Sequence, residues 1–370
     1  MIKLPPIITH AYILLTEGCN CRCEYCYVKN RDIINEIPME YIDKLIKSFT
    51  CYNKPRIIFF GGEPTLKQSI IRQVVEKYGD SLHYQIVTNG TYHFHDFLEN
   101  IWRPIKDNFD IQVSWDGSDD TRLKANGDIS NQSVYNIMIE ELRNGAEFEG
   151  RCVLNEYSVM NFYQTYKTFK KLNSQYHFSG DFTIAHQLSF PRSFHIELRK
   201  NLDLILNDIK NDLNNGTDVF FSRFILKEIS NVIQNKPIIS CDIGNYVVLK
   251  PNGDIYPCTI LAQQDERFKL GNIKNNIDTE IITDIRYKSS CLKDCDYKSV
   301  CDGGCRYERM KNFGEEWKCK VCSHTCDIYK EIYESIKKFL NSLNDNQREN
   351  LYYIMSDYNM WQVDYNNNRI

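Results

Sequence analysis

The chain has 370 residues, 25% of them charged and 42% hydrophobic, with a formal net charge of −4. That length allows two domains around a sizeable core, and that charge supplies no field to gather nucleic acid or an anionic membrane. No apolar stretch is long enough to span a bilayer. The opening MIKLPPIITHAYILLTEG, with one lysine, two prolines and no small-residue cleavage site, does not read as a signal peptide, so the expected location is cytoplasmic. Fifteen cysteines are too many and too odd in number for an exported disulfide scaffold of this size. Clustered in a reducing compartment, they point to metal.

From residue 12 to about 190, short apolar runs alternate with amphipathic stretches. Strands are expected at Tyr12–Thr16, Ile57–Phe60, Tyr84–Thr88, Ile111–Trp115, Cys152–Asn155 and Phe182–Ala185. Helices are expected at Met39–Phe49, Ser69–Tyr78, Ser133–Arg143 and Phe162–Leu172, where apolar positions such as Ile42, Leu45, Ile46 and Phe49 recur at helical spacing. Repeated strand–helix alternation implies a parallel α/β sheet with helices outside, open or curled into a partial barrel. Residues from about 195 to 235 read as two more helices with a break at Asn214-Asn215-Gly216. Past Lys236-Pro237 the texture changes to short strands, turns and cysteines. VVLKPNGDIYPC reads as a hairpin turning at Pro251-Asn252-Gly253-Asp254, and Asp327–Leu340 as a closing helix. The expected division is a first domain over 1–235, a small cysteine-rich domain over 236–340 and a C-terminal tail over 341–370, rich in Asn and Tyr.

TEGCNCRCEYCYV, residues 16–28, leaves the first expected strand with Cys19, Cys21, Cys23 and Cys26. Cys19, Cys23 and Cys26 are spaced CxxxCxxC. Three thiolates on one short loop can hold three irons of a cubane and leave the fourth without a protein ligand. Reactive metal sites keep such an open position, whereas structural sites close it. A closed zinc site that adds Cys21 is the alternative, against which stand the very tight chelate loops it would need. Cys51 and Cys152 stand alone and read as buried small apolar residues.

CxxxCxxC with Tyr25 before its last cysteine resembles the hallmark of the radical S-adenosylmethionine enzymes. The resemblance continues in register: GGEP at Gly61–Pro64 after the second strand, TNGT at Thr88–Thr91 after the third, and SWDG at Ser114–Gly117 closing the fourth. It implies a partial (β/α)6 TIM-like barrel in which Cys19, Cys23 and Cys26 carry a [4Fe-4S] cluster. S-adenosylmethionine would lie among Tyr25, Gly61, Gly62, Glu63, Pro64, Asn89, Ser114 and Asp116. The glycines would let backbone approach the ligand, and Arg151, opening the fifth strand, is a candidate for the ligand's carboxylate or else a solvated strand-end cation. The implied chemistry is reductive cleavage of the sulfonium to a 5′-deoxyadenosyl radical that abstracts a substrate hydrogen, the protein supplying position and a dry cavity.

Cys241, Cys258, Cys291, Cys295, Cys301, Cys305 and Cys326, together with LGNI at Leu270–Ile273 and CDGGCRYER at Cys301–Arg309, resemble the SPASM domain of peptide- and protein-modifying relatives. That domain carries two auxiliary clusters, which makes three in all. Carried over, one set is Cys241, Cys258 and Cys305, completed by Cys319, Cys322 or substrate. The other is Cys291, Cys295, Cys301 and Cys326. Three residues rather than the family's two separate Cys291 from Cys295. A zinc ribbon is the alternative for this half, with His324 leaving a mixed site open.

The expected function is therefore a radical maturase that installs a thioether or carbon–carbon crosslink, an oxidation or an epimerisation on a ribosomal peptide. Its expected partner is an electron donor such as flavodoxin or ferredoxin, and since no winged-helix domain fits before Tyr12, a substrate leader is expected to be read by another part of the chain, by a separate leader-recognition protein, or not at all. A formylglycine-forming, sulfatase-maturase-like enzyme is an alternative, although Thr259 stands where those enzymes carry an aspartate base. A non-catalytic iron–sulfur electron carrier or metal-binding protein is the alternative from another class.

Overall fold

The computed structural model describes residues 3–28, 31–33, 35–91, 93–117, 122, 131–185, 188–215, 219–236, 243–278, 282, 295–301, 303–321 and 323–367. Six parallel strands run in sheet order as in sequence: β1 His10–Leu14, β2 Arg56–Phe60, β3 His83–Thr88, β4 Phe109–Ser114, β5 Phe148–Leu154 and β6 Phe178–Ile184. Between them lie α1 Met39–Ile46, α2 Gln68–Tyr78, α3 Asn131–Arg143 and α4 Phe162–Gln175, followed by α5 Arg192–Asn215 and α6 Arg223–Ile233. This is the parallel α/β partial barrel expected from the alternation. Each expected strand begins one to four residues late against the structure, and four of the six end one or two residues late.

The sheet does not stop at β1. The hairpin β7 Tyr246–Leu249 and β8 Asp254–Tyr256 joins it, β7 lying parallel to β1 with Tyr12 opposite Val248. The LGNI stretch supplies β9, Gly271–Asn272, antiparallel to β8. The cysteine-rich half is thus anchored edge-on to the strand that feeds the first cysteine loop. The later helices are α7 Arg306–Phe313, α8 Ser323–Ser342 and α9 Asp345–Asn367. The Asn-rich tail is therefore helical through much of its length. It docks on α5: Gln347 Nε2 donates to Asn214 Oδ1 at 2.8 Å, Asn350 Nδ2 to the Leu213 carbonyl at 3.1 Å, and Leu351 is buried.

Alternation within the strands separates two faces. Ile13, Ile57, Phe59, Ile86, Ile111, Val113, Cys152 and Leu154 face the helices in one continuous core. The concave face has its own apolar cluster on the β1 side, made by Leu14, Tyr246, Val248 and Tyr256 with Tyr12 and Phe60 against it. On the β4–β6 side that face is charged. Arg151 Nη2 pairs with Glu149 at 2.7 Å and its Nη1 with Asp181 at 2.8 Å. Arg223 pairs with Glu149, and Gln112 Nε2 donates to Glu149 at 3.0 Å. Among the described residues, no helix is long and apolar enough to cross a membrane.

Candidate active site

The loop leaving β1 is held by backbone contacts to the turn after β2 as well as by its own side chains, with Arg22 Nη1 donating to the Cys19 carbonyl at 2.6 Å. Gly62 N–H donates to the Thr16 carbonyl and Glu63 N–H to the Gly18 carbonyl, each at 2.9 Å. This closeness is why two glycines follow β2. A Cβ on Gly61 would stand 2.3 Å from the Thr16 oxygen and one on Gly62 would stand 2.1 Å from the Gly18 oxygen. Without side chains, the two glycines let their backbone approach the cysteine loop itself. Asn35 adds a second clamp, accepting from Glu17 N at 2.9 Å, while Lys250 beside β7 pairs with the Glu17 carboxylate at 3.1 Å.

Glu63 ties this loop to the next. Its carboxylate is almost wholly buried and accepts from Thr65 N and Oγ1, from Thr88 Oγ1 at 2.6 Å and from Asn89 N at 2.8 Å. Burial pushes this carboxyl above its usual range and each of the four donors pulls it back. Asn89 then reaches the cysteine loop: its Nδ2 donates to Asn20 Oδ1 at 2.7 Å and to Cys21 Sγ at 3.3 Å. Pro64 opens a short turn over Pro64–Lys67.

Cys19, Cys23 and Cys26 are free thiols, Cys23 buried and the other two half-buried. They lie in one another's field. Burial pushes the Cys23 thiol up to about 11, with the charges of Cys26 and Cys19 adding to the rise and Arg122 opposing it. Cys19 is raised chiefly by its hydrogen bond with Cys21 and by burial, and Cys26 by burial. Cys21 is buried and points to Asn89. Among the described residues, no three His, Cys, Asp or Glu side chains converge on one point that a metal ion could occupy. A cubane spreads its three thiolates over three irons, so a shared point is not what a cluster asks of them. The donor chemistry, three thiols on one clamped loop, fits such a group.

Asp116, just past the end of β4, is fully buried and engaged. Its Oδ1 accepts from Val153 N at 2.9 Å, and the Tyr25 hydroxyl donates to its Oδ2. Arg122 donates to the Tyr25 hydroxyl at 3.0 Å. The sequence reading passes over Arg122, since nothing local marks an arginine 97 residues from the tyrosine it meets. Ser114 is the last residue of β4, half-buried and in register with Arg151. Arg151, far from being a solvated cation, is bracketed by Glu149 and Asp181, with its Nε buried and unpartnered.

In the second half, Cys241, Cys291 and Cys322 lie outside the described residues. Cys258 and Cys305 share an apolar cluster with Ile243, Leu261, Tyr307, Met310 and Trp317. Cys295 and Cys301 flank Tyr297, with the Cys301 N–H donating to the Tyr297 carbonyl at 2.9 Å, and Cys326 sits on α8. Cys319 is exposed. His324 is taken by the buried Glu308 carboxylate, which also accepts from Thr325. Arg306, the residue after Cys305, is 1% exposed, yet its Nε and Nη1 meet no acceptor among the described residues. Cys152 is fully buried, and Cys51 is half-buried with its thiol donating to the Asn53 carbonyl.

Residues 13–154 match the family model described as the radical SAM superfamily, so the chain carries a radical SAM domain. Curated relatives match part of the chain. One is the Fe-coproporphyrin III synthase of Methanosarcina barkeri, 27% identical over 141 residues, 36% of this chain and 35% of the relative. Another is an S-adenosylmethionine-dependent nucleotide dehydratase of Flammeovirga pacifica, 33% identical over 98 residues, 25% of this chain and 34% of the relative. The chain thus spans about a third of the length of these curated relatives. Solved structures match nearly end to end. The structure anSMEcpe with bound AdoMet gives a TM-score of 0.70 at 20% identity, over 93% of this chain and 98% of that one. Streptococcus suis SuiB bound to the precursor peptide SuiA gives 0.60 at 14%, over 87% and 76%. At such identities the likeness speaks for the fold.

Proposed function

We propose that this protein is a radical S-adenosylmethionine maturase that modifies a peptide or small protein. In this reading residues 1–235 are the partial-barrel domain, 236–340 a SPASM domain and 341–370 a tail. The observation that carries it is the three-thiol loop at the carboxyl end of β1, pinned by the glycines after β2 and by the buried Glu63. Cys19, Cys23 and Cys26 hold the cluster, and S-adenosylmethionine lies along Gly61, Gly62, Asn89, Ser114 and the Tyr25–Asp116 contact. Bound there, the pair supplies the one-electron cleavage and hydrogen abstraction that the family resemblance implies. The chain's own residues do the rest. Glu63 keeps the loops after β2 and β3 in one arrangement, and Arg151 is the candidate for the ligand's carboxylate.

An auxiliary cluster at Cys258 and Cys305 is supported by Arg306. A buried guanidinium with no anion costs several kcal/mol, and the thiolates and sulfides of a cluster held by Cys258 and Cys305 would supply the negative charge it lacks. A peptide substrate is supported by the fold shared with anSMEcpe, solved with a Kp18Cys peptide, and with SuiB. Formylglycine formation is the weaker reading, because Thr259 offers no carboxylate and shares its hydroxyl with Tyr27. Anaerobic reconstitution should load about twelve irons, and replacing Cys19, Cys23 and Cys26 by Ala should leave about eight. The parent with reductant and S-adenosylmethionine should release 5′-deoxyadenosine and the variant none. Zinc in place of iron in anaerobically purified protein would overturn the proposal.

A further inference from the structure

Arg122 is 8% exposed and belongs to the connection between β4 and α3. Its Nη1 donates to the Tyr25 hydroxyl at 3.0 Å and lies 3.8 Å from Asp116 Oδ2, to which Tyr25 donates in turn. Asp116 is fixed by Val153 N on β5, and its own N–H meets Asn131 Oδ1 at 3.4 Å at the start of α3. A single chain of contacts thus runs from the cysteine loop through Tyr25 to the ends of β4 and β5. The guanidinium is not spent on Asp116, since 3.8 Å with one nitrogen is no bidentate pair. The Tyr25 it meets lies two residues after Cys23 and one before Cys26. Tyr25 sits next to Cys26 in the chain, so whatever fixes its ring also fixes the last thiol of the loop.

We propose that Arg122 is a positioning residue for the cysteine loop, a buried guanidinium that clamps Tyr25 against Asp116 and sets a permanent positive charge beside Cys23 and Cys26. This inference rests on the reading of that loop as a cluster site. A cluster gains one negative charge on reduction, so a fixed cation nearby stabilises the reduced form and raises the reduction potential. Arginine suits the task because it stays protonated even when buried.

The test is a redox titration of the anaerobically reconstituted full chain. It follows the electron paramagnetic resonance signal that changes on adding S-adenosylmethionine, with iron measured alongside. Arg122→Met should shift the potential of that signal to more negative values, Arg122→Lys should stay near the parent, and Tyr25→Phe should shift it in the same direction by less. A potential unchanged in Arg122→Met, or shifted as far in Arg122→Lys, overturns the proposal. Should Arg122→Met fail to hold iron, Arg122→Lys decides: iron and potential retained supports the fixed charge, and loss of both refutes it. Failure of the underlying cluster reading looks different. The parent itself would then show no S-adenosylmethionine-sensitive signal, and the three-cysteine variant would keep all its iron.

Discussion

Replacing Gly62 by Ala tests whether the glycines after β2 exist to admit the cysteine loop. The new Cβ would stand 2.1 Å from the Gly18 oxygen and 2.5 Å from the Glu17 oxygen, where ordinary contact begins near 3.4 Å. Both obstacles are backbone, so no side chain can swing aside, and the loop must retreat by about 1 Å for the two contacts to relax. That retreat stretches the Gly62-to-Thr16 and Glu63-to-Gly18 hydrogen bonds, at about 1 kcal/mol each. Overpacking adds about 1–3 kcal/mol. The total expected loss is about 3–5 kcal/mol. Gly145→Ala is the control, because its positive φ of 81° is strained while nothing lies within 4 Å of its Cβ. It should cost only about 1–2 kcal/mol. Anaerobic urea unfolding reads the stability and iron analysis reads the loop, with about four irons lost in Gly62→Ala and none in Gly145→Ala. Equal losses of stability in the two variants, with iron intact in both, would refute the clamp.

Cys21→Ser should keep iron and S-adenosylmethionine cleavage near the parent, because serine can accept the same bond from Asn89 Nδ2; iron lost there and kept in Cys19→Ser would reverse the assignment of ligands. Arg306→Met should raise the urea midpoint of the metal-free protein, since it removes a buried cation with two unpartnered nitrogens, and should lower auxiliary iron in the reconstituted one. An unchanged midpoint and iron content would remove Arg306 from the account. The His95 ring is held above its ordinary pKa by its 2.8 Å bond to the Glu141 carboxylate. A raised folded pKa gives stability that is present below about pH 6.5 and lost as pH rises through the folded value. Parent and His95→Gln unfolding curves should therefore converge toward high pH, and a gap independent of pH would count against the pair.

The six parallel strands were legible where they are buried on both faces, as in RIIFF of β2, because nothing polar interrupts the run. They were misread where glycine enters. The expected β5 and β6 begin only at Cys152 and Phe182, just after Gly150 and Gly180, whereas the strands begin at Phe148 and Phe178. A Cβ on Gly180 would lie 2.4 Å from Phe169 and one on Gly150 would lie 2.6 Å from Phe178. The glycines are there to seat those rings, a packing reason that no window of sequence contains. Pairing of β7 with β1 was equally hidden, since it joins residues more than two hundred positions apart. Cysteine spacing is local and could be read directly, whereas the support of the loop is assembled through space. Glu63 shows the difference. As the charged member of GGEP it reads as a ligand contact, yet its carboxylate is filled by Thr65, Thr88 and Asn89 from the protein itself. A motif marks that a residue is required at that place; only the fold says whether it meets the ligand or holds the residues that do.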